Sequence, residues 1–524
     1  MPASSLEVLR TAVIFGADAV YIGGEAFGLR AKAKNFSMEE MAEGIVFAHA
    51  HGVKVYVTAN ILAHNEDLEG ARTYFEELRD MKPERCDALI ISDPGMYAIA
   101  REVWEEAEIH ISTQANNTNY GTYLFWRRLG AKRVVSAREL SLREIREIRE
   151  RIPAEMEIES FVHGAMCISY SGRCLLSSFL AGRDANRGSC THPCRWKYAV
   201  VEETRPGEYM PVYENERGTY LFNSRDLCMI GHIPELVEAG IDSFKIEGRM
   251  KTALYVATVA RTYRRAIDDY FESAGLYRQN MEWYEAEIAK CTHRRFTTGF
   301  YFKEPGTSAA GRGTSAESQG MPAAGQGISP VGQDASALCA GTPQAGLSTS
   351  AGQDASALGS GASQAGSGTF AGQDASALGS GTSAGQMQIY DNSTYINEYT
   401  YLGMVEEVNA SWGEKPARCG MCFVRIEQRN KFAVGDVIEL MKPDGRNVFV
   451  AVEAIYSLEG EPMESCPHAK QALWIGLSAE DVQGAGEDTA GGADAASGSN
   501  ESREAVLAER YDILRVKAGR GLPG

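Results

Sequence analysis

The sequence predicts an α/β fold: a TIM-like (β/α)8 barrel, a disordered insertion, and then a small antiparallel β-barrel domain. Three observations favour this fold. Short runs of β-branched and apolar residues alternate with helix-like stretches over the first part of the chain, which is typical of buried parallel strands. A long segment of Gly, Ala, Ser and Gln then interrupts the chain. The residues after it form short strand-like runs separated by Gly and Asp turns.

The composition is that of a soluble globular protein. Of the 524 residues, 44% are hydrophobic and 23% are charged, and both values are ordinary. The sequence has no run of about 18 apolar residues, so we expect no membrane span. The first five residues, MPASS, lack the basic stretch and apolar core of a secretory signal. We therefore expect a cytoplasmic protein, in which the 11 cysteines favour metal binding or chemistry over disulfides.

The net charge of −18 would argue against a nucleic-acid partner only if it were spread evenly. Two low-complexity segments carry half of it. Residues 305–389 hold four acids and one base, and residues 480–504 hold seven acids and one base. The rest of the chain is moderately acidic, so local basic patches can exist on its surface.

The low-complexity segment contains the heptamer GQDASAL three times, with a period of 20 residues. Each copy has one Leu and almost nothing else to bury, so a disordered insertion is favoured over a solenoid. The expected boundaries are 1–304 for the TIM-like catalytic barrel with its cysteine cluster, 305–389 for the insertion, 390–482 for the small β-barrel, 483–504 for a disordered spacer, and 505–524 for a C-terminal strand and tail.

The elements of the first domain begin with a helix. Ser4 or Ser5 is a candidate N-cap for a helix over 6–15. A complete barrel needs a strand before that helix, so we expect the first of eight strands to be missing and the barrel to have an open seam. The other seven expected strands are 18–23, 54–59, 88–92, 108–113, 133–137, 157–163 and 243–247.

The second domain has its own series of expected strands. Turns at Gly435-Asp436 and Asp444-Gly445 separate some of them. Small barrels of this kind often bind RNA or proteins, although the fold alone does not establish a function. The expected strands are 401–408, 423–428, 437–441, 447–455, 473–477 and, beyond the spacer, 511–515.

Polar side chains follow most of the expected strands of the first domain. In (β/α)8 barrels the chemistry lies at the carboxyl ends of the strands, so the group predicts a polar pocket. Any single member is explained equally well as a cap of a loop or helix. The group consists of Glu25, Arg30, Thr58, Asn60, Asp93, Gln114, Asn116, Arg138, His163, Lys245, Glu247 and Arg249.

Five of the 11 cysteines lie within 62 residues, directly after a predicted strand. Thiolates are soft ligands that suit zinc or iron–sulfur clusters. The stretch lacks the Cys-x-x-Cys pairs of zinc ribbons, so the wide spacing favours an iron–sulfur cluster. A zinc site and a set of metal-free cysteines remain alternatives. The five residues are Cys167, Cys174, Cys190, Cys194 and Cys228.

These residues resemble the signature of the collagenase-like peptidase family, peptidase U32. The resemblance extends to ADAVY at 17–21, and to NKF at 430–432 and Gly435-Asp436 in the second domain. It therefore covers nearly all of the chain except the two low-complexity segments. The motifs that carry it are ESFVHGAMC at 159–167, GRCLLS at 172–177, RGSC at 187–190, CRW at 194–196, NSRDL at 223–227 and KIEGR at 245–249.

The resemblance implies an RNA-modifying enzyme. The chain looks most similar to the branch of bacterial tRNA hydroxylation proteins, which act with prephenate to make 5-hydroxyuridine at the wobble position of tRNA. This implies tRNA and a small diacid metabolite as partners, and it leaves open a second related protein of the family. Related ubiquinone-biosynthesis hydroxylation proteins bind a four-cysteine cluster. By similarity, the ligands of a 4Fe-4S cluster are Cys167, Cys174, Cys190 and Cys228, with Cys194 as the rival for the fourth place.

Roles for the polar residues follow from this implied activity. Arg138, Lys245 and Arg249 are expected to pair with the carboxylates of the diacid, because guanidinium forks match carboxylates. Gln114 and Asn116 complete the expected substrate-binding set, while Glu247 and His163 are candidates for proton transfer.

An RNA contact is expected beside the cysteines. Arg195, Trp196 and Lys197 combine charge with a ring on which a base can stack. The basic residues between 127 and 151 alternate with glutamates, which favours a salt-bridged helix face over an RNA-binding surface.

Two other functions remain as alternatives. A U32-type peptidase needs a nucleophile with a base, or a hydrolytic metal site. The sequence has no His-Glu-x-x-His, and no Gly-x-Ser-x-Gly at a predicted strand-to-helix turn. His163 and Cys167 could form a catalytic pair, although Cys167 is better explained as a cluster ligand. The second alternative is a non-catalytic RNA- or protein-binding factor with a structural cluster.

Overall fold

The structure is a computed structural model. It describes residues 1–29, 35–167, 169, 174–195, 199–200, 210–211, 225–302, 395–409, 411–412, 415–416, 421–478 and 507–518. The predicted insertion at 305–389, the predicted spacer at 483–504, and Trp196 and Lys197 lie outside these residues.

The first part of the chain alternates strands and helices, as predicted. Its strands are β1 (Ala19–Gly23), β2 (Lys54–Ala59), β3 (Ala88–Ile91), β4 (Ile109–Ile111), β5 (Arg133–Val135), β6 (Glu157–Ala165), β7 (Ala199–Val200), β8 (Met210–Pro211), β9 (Asp226–Cys228), β10 (Ser243–Ile246) and β11 (Phe296–Thr297). Its helices are α1 (Leu6–Ile14), α2 (Met38–Ala50), α3 (Asn65–Asp80), α4 (Pro94–Val103), α5 (Tyr120–Arg128), α6 (Leu142–Arg149), α7 (Leu176–Ala181), α8 (Ile233–Glu238), α9 (Ala253–Glu272), α10 (Ala274–Gln279) and α11 (Met281–Ile288).

Strands β1 to β6 lie side by side in chain order, and each pairs in parallel with the next. β10 is parallel to β6, while the short β9 is antiparallel to the end of β6 and β11 is parallel to β9. The parallel α/β class is therefore confirmed, and all seven predicted strands are present as β1 to β6 and β10. Within the described residues no ladder joins β10 to β1, so the closed barrel stays a prediction.

The seam beside β1 is partly filled by the first three residues. Pro2 forms an isolated parallel bridge with Tyr21. The Tyr21 amide donates to the Met1 carbonyl at 2.8 Å, and the Ala3 amide donates to the Tyr21 carbonyl at 3.1 Å. Met1–Ala3 thus occupies the edge of β1 where the missing first strand was expected.

Caps set the starts of several helices. The Ser5 hydroxyl accepts from the Val8 amide, which makes Ser5 the N-cap of α1. Asp93 caps α4, with Pro94 at its first position. Ser141 and Glu144 form a capping box at α6. Such caps satisfy amides that have no partner inside the helix, so α1 begins at the second of the two serines proposed from the sequence.

The two faces of the parallel sheet differ in chemistry. Side chains on one face, such as Ile22, Val57 and Ile91, belong to the main hydrophobic core formed with the helices. Tyr21 and Tyr56 point to the other face, because successive side chains alternate, and they form a separate small cluster. Further along the sheet, charged residues lie on this second face. The face continues to the polar residues at the carboxyl ends of the strands.

The second domain is a closed antiparallel barrel. The ladder runs in the order β16, β20, β12, β15, β19, β17, and β17 pairs back with β16 to close it. This confirms the predicted small antiparallel barrel. Its strands are β12 (Tyr399–Asn409), β13 (Ser411–Trp412), β14 (Lys415–Pro416), β15 (Met421–Glu427), β16 (Val437–Met441), β17 (Asn447–Tyr456), β18 (Pro462–Met463), β19 (Ala472–Ser478) and β20 (Ile513–Lys517).

A buried ion network joins the two domains. Glu287 of α11 accepts from Arg261 of α9 at 2.5 Å and from Arg515 of β20 at 2.9 Å. Arg515 also donates to Glu439 of β16 at 2.6 Å. The side chains of these four residues are at most 2% exposed. We call Arg261, Glu287, Glu439 and Arg515 the interdomain network.

None of the helices in the described part of the chain is long and apolar enough to cross a membrane.

Candidate functional site

A cleft opens at the carboxyl ends of the parallel strands. This is the edge where parallel α/β sheets bind ligands. Five of the residues singled out as catalytic or substrate-binding line it, and they come from loops far apart in the sequence. The lining residues are Tyr21, Leu29, Thr58, Asn60, Ile90, Ser112, Thr113, Gln114, Val135, Arg138, Phe161, Lys245, Glu247 and Arg249.

The charged side of the cleft follows β5, β6 and β10. An Arg138 guanidinium nitrogen lies 3.6 Å from a Glu247 carboxylate oxygen, and both side chains are largely buried. The Arg138 guanidinium carbon also lies 4.1 Å from the centre of the Phe161 ring. This stacking orients the guanidinium plane. The structure therefore brings Arg138 and Glu247 together, as expected of two groups that share one substrate.

Arg249 reaches the same cleft from the loop after β10. Its guanidinium donates to the Thr58 hydroxyl at 3.3 Å and to the Asn35 side-chain oxygen at 2.9 Å. A Cβ atom on Gly23 would overlap this guanidinium. Gly23 ends β1, so the absence of its side chain is what lets the buried Arg249 lie across the strand end.

Lys245 lines the cleft, but a carboxylate of the protein already pairs with it. Its ammonium donates to Glu159 at 2.5 Å, and Arg133 reaches the other Glu159 oxygen at 3.0 Å. Burial alone would raise the pKa of Glu159, but the Lys245 and Arg133 cations outweigh it and hold that pKa at about 2. The Lys245 ammonium also lies 4.6 Å from the centre of the Tyr21 ring. A substrate carboxylate that pairs with Lys245, as predicted, would therefore share its ammonium with Glu159.

The neutral side of the cleft follows β2 and β4. The Asn60 side-chain nitrogen donates to the Ser112 hydroxyl oxygen at 3.2 Å, and the Gln114 amide donates to the same oxygen at 3.4 Å. Asn116 has φ +54° and donates to the Gln114 carbonyl at 3.1 Å. Gln114 is therefore in the cleft, as predicted, whereas Asn116 supports the turn behind it and is not among the lining residues.

His163 lies under the site and is not among the residues that line the cleft. It is 1% exposed, and its ring contacts Tyr255, Tyr263 and Phe296. Burial lowers the pKa of His163 to about 3, so the imidazole is neutral at physiological pH. Its proton-transfer role stays a prediction, one that would require a path from this buried position to the cleft.

The candidate cluster cysteines lie on the segments that follow β6 and form β9, and within the described residues none of them is in a disulfide. Cys167 is exposed, while Cys174, Cys190, Cys194 and Cys228 are partly buried. Cys228 lies opposite His163 in the β6–β9 pairing, and the Cys190 sulfur accepts from the His192 amide at 3.3 Å. The donor chemistry fits an iron–sulfur cluster. In the conformation of the described residues, no three His, Cys, Asp or Glu side chains converge on one point, so the ligand set stays a prediction.

The expected RNA contact falls at the edge of the described residues. Arg195 ends a 3₁₀ turn, Pro193–Arg195, and Trp196 and Lys197 lie outside the described residues. The basic residues between 127 and 151 are largely paired, as in the Arg127–Glu155 pair at 2.5 Å and the Arg143–Glu147 pair at 3.1 Å. The salt-bridged interpretation of that region fits these contacts.

Seven lining residues are not among those expected from the sequence, and three of them are the aliphatic residues Leu29, Ile90 and Val135. Tyr21 and Phe161 stand inside strands whose apolar pattern looks like core, and Ser112 and Thr113 look like helix caps. The position of Ser112 and Thr113 at the end of β4 was the signal in the sequence that could have placed them in the cleft. Period-2 alternation would have placed Tyr21 and Phe161 on the same face as Lys245 only once the strand order was known.

Models of known families match both domains. The model of peptidase family U32 matches residues 4–311. The chain belongs to peptidase family U32. The model of the U32 C-terminal domain matches residues 397–485, so both domains have the family's arrangement, and the resemblance found in the motifs is confirmed.

Curated relatives of this U32 chain carry different descriptions. The tRNA hydroxylation protein P1 of Bacillus subtilis is 45% identical over 305 residues, which is 58% of this chain and 71% of the relative. An uncharacterized protease of Methanocaldococcus jannaschii is also 45% identical, over 58% of this chain and 72% of the relative. The 23S rRNA 5-hydroxycytidine C2501 synthase of Escherichia coli is 37% identical over 52% of this chain and 40% of the relative.

Proposed function

We propose that this protein hydroxylates C5 of a pyrimidine in RNA, with the wobble uridine of tRNA as its substrate and prephenate as its co-substrate. The observation that carries the proposal is the cleft at the carboxyl ends of the parallel strands, which Arg138, Glu247 and Arg249 line together. The chain that forms this cleft belongs to peptidase family U32. The similarity to the B. subtilis and E. coli RNA hydroxylation proteins supports the reaction class.

The charged side of the cleft suits a diacid. Arg138 is stacked on Phe161 and lies 3.6 Å from the Glu247 carboxylate. Arg249 is 4% exposed and bonded to neutral oxygens of Thr58 and Asn35. A carboxylate that enters the cleft here would lie beside both guanidiniums, and such pairing is stronger away from bulk water.

Glu247 is the proposed proton-transfer group. It lies beside Arg138 in the wall of the cleft. An ionised carboxylate at this position can accept a proton from a bound substrate. His163 is a weaker candidate for the same step because it lies under the cleft and not in its wall.

The proposal includes an iron–sulfur cluster on Cys167, Cys174, Cys190 and Cys228, with Cys194 as the alternative fourth ligand. Support comes from the chemistry of the donors, which are thiols on the segment between β6 and β9 and, for Cys228, on β9 itself. When bound, such a cluster supplies one-electron chemistry. The thiols must lose their protons to bind it, and burial is the largest cause that raises the pKa of Cys228 to about 11.

The test is nucleoside mass spectrometry on tRNA from a host without its own uridine hydroxylation, with and without this gene. We expect 5-hydroxyuridine only with the gene. The variant Arg138→Lys keeps the charge but loses the stacked, forked guanidinium, so the yield should fall about tenfold, which is about 1.4 kcal/mol. Arg143→Lys is the control, because Arg143 is exposed and lies outside the cleft.

Three results would contradict the proposal. One is wild-type protein that carries iron and leaves tRNA and rRNA unchanged. Another is full yield from Arg138→Lys. The third is hydrolysis of a peptide substrate that Glu247→Gln abolishes while RNA is not modified, because this would favour the peptidase activity for which the family is named.

A further inference from the structure

The neutral side of the cleft holds two buried acceptors without donors. Among the described residues, no hydrogen-bond donor reaches the side-chain oxygens of Asn60 and Gln114, although both atoms are buried. Buried polar atoms in proteins nearly always have partners, because an unmade bond costs free energy. Both residues line the cleft, so a bound molecule is the natural source of the missing donors.

The orientation of these amides is set by their neighbours. The Asn60 nitrogen is held by Ser112, which leaves the Asn60 oxygen as the free acceptor. The Gln114 backbone is held by the same hydroxyl, and its side chain extends from a turn stiffened by Asn116. The terminal torsion of an amide side chain is soft, so each oxygen can adjust its direction to a bound ligand.

The missing donors discriminate between possible ligands. A carboxylate at neutral pH donates no hydrogen bond and belongs with Arg138 and Arg249. A uracil base has one polar donor, the N3–H of its imide edge, and ribose adds hydroxyl donors. A uridine nucleotide therefore supplies donors for both oxygens, whereas prephenate has a single donor, its ring hydroxyl.

We infer that Asn60, Ser112 and Gln114 form a recognition site for the imide edge of uridine, in which the Gln114 side-chain oxygen accepts from N3–H. The inference rests on the proposed function for its choice of base. It divides the cleft into a neutral side for the nucleoside and a charged side for the acid.

The test compares uridine 5′-monophosphate with its N3-methyl analogue, which lacks the donor, by calorimetric titration of the full chain. A site built around a hydrogen bond rejects a ligand that cannot make it. We expect the wild type to bind the unmethylated nucleotide roughly tenfold tighter or more. In Gln114→Met the ratio of the two affinities should fall toward one.

The matched control is Gln428→Met. Gln428 follows β15 in the small barrel, is 1% exposed, and also has a side-chain oxygen without a described donor, but it does not line the cleft. This variant should keep the wild-type ratio. Thermal melting provides a second readout. Gln114→Met should melt no lower than the wild type, because it removes a buried acceptor that has no donor.

Equal affinity for both nucleotides, undetectable binding of uridine 5′-monophosphate, or an unchanged ratio in Gln114→Met would overturn the inference. These outcomes are separate from the tRNA assay. If 5-hydroxyuridine forms but N3 methylation has no effect, this recognition site is wrong and hydroxylation stands. If N3 methylation weakens binding but no hydroxylated nucleoside forms, the uridine site stands and the reaction is wrong.

Discussion

At the scale of single residues, the electrostatics of the cleft depend on Glu159. This carboxylate lies beneath Lys245 and Arg133 and balances two buried cations. Breaking a buried pair by removing one partner leaves uncompensated charge and costs about 3–5 kcal/mol. Glu159→Gln should therefore destabilise the protein by about this amount near neutral pH, which urea unfolding would measure.

The pH dependence of this loss has a definite sign. The folded pKa of Glu159 is about 2 and its ordinary value is 4.5, so its contribution is complete above 4.5 and disappears as pH falls through this interval. The stability difference between wild type and Glu159→Gln should be constant above pH 5 and shrink below about 4.5. Glu147→Gln, in an exposed pair, should show little difference. A stability difference between wild type and Glu159→Gln that grows as the pH falls would contradict this account.

At the scale of secondary-structure elements, the end of β1 controls the cleft through Gly23. An alanine Cβ there would overlap the Arg249 guanidinium and push it from Thr58 and Asn35. Gly23→Ala should reduce 5-hydroxyuridine yield about tenfold, as expected when one charged contact of about 1.4 kcal/mol is lost. The measurement is the tRNA assay together with thermal melting.

Gly28→Ala is the control for this prediction. A Cβ at Gly28 would lie 3.5 Å from Arg249 and 3.6 Å from the Thr58 hydroxyl, which is ordinary contact. Yield close to wild type in Gly28→Ala, with a loss in Gly23→Ala, would support the role of the β1 end. Equal effects of both variants would show that the loop, and not the guanidinium, is responsible.

The elements also show how far sequence reasoning reaches. The seven parallel strands were predictable because buried parallel strands are continuous apolar runs, and Arg138, Glu247 and Gln114 were found because they follow such runs. β9 and β11 were missed because they contain only three and two residues, whereas the equally short β4 and β5 lie within the longer expected runs 108–113 and 133–137. The burial of His163 and the Lys245–Glu159 pair depend on strand order, which local patterns do not contain.

At the scale of the whole molecule, the interdomain network couples the two domains. Arg515 of β20 is 0% exposed and bonds both Glu287 of α11 and Glu439 of β16. Arg515→Leu leaves two buried carboxylates short of a cation, which should cost about 3–5 kcal/mol. We expect the single unfolding transition of the wild type to separate into two, because the barrel loses its main charged contact with α11. Tryptophan fluorescence during urea unfolding measures this through Trp474 of β19 and Trp283 of α11.

The exposed pair Arg446–Asp444 provides the comparison. Arg446→Leu should cost less than about 1 kcal/mol, because surface ion pairs contribute little. Similar losses in both variants would mean that burial of the interdomain network is not what stabilises the assembly.

The interdomain network has an evolutionary consequence. The side chains of the interdomain network lie outside the low-complexity sequence that runs between residues 302 and 395. The contacts of this network do not depend on the connecting segment, so we expect the two domains to stay associated after a backbone cut within that segment. Mutation is then free to lengthen, shorten or rewrite that stretch at little energetic cost, and the repeated GQDASAL units are the kind of expansion that such freedom allows.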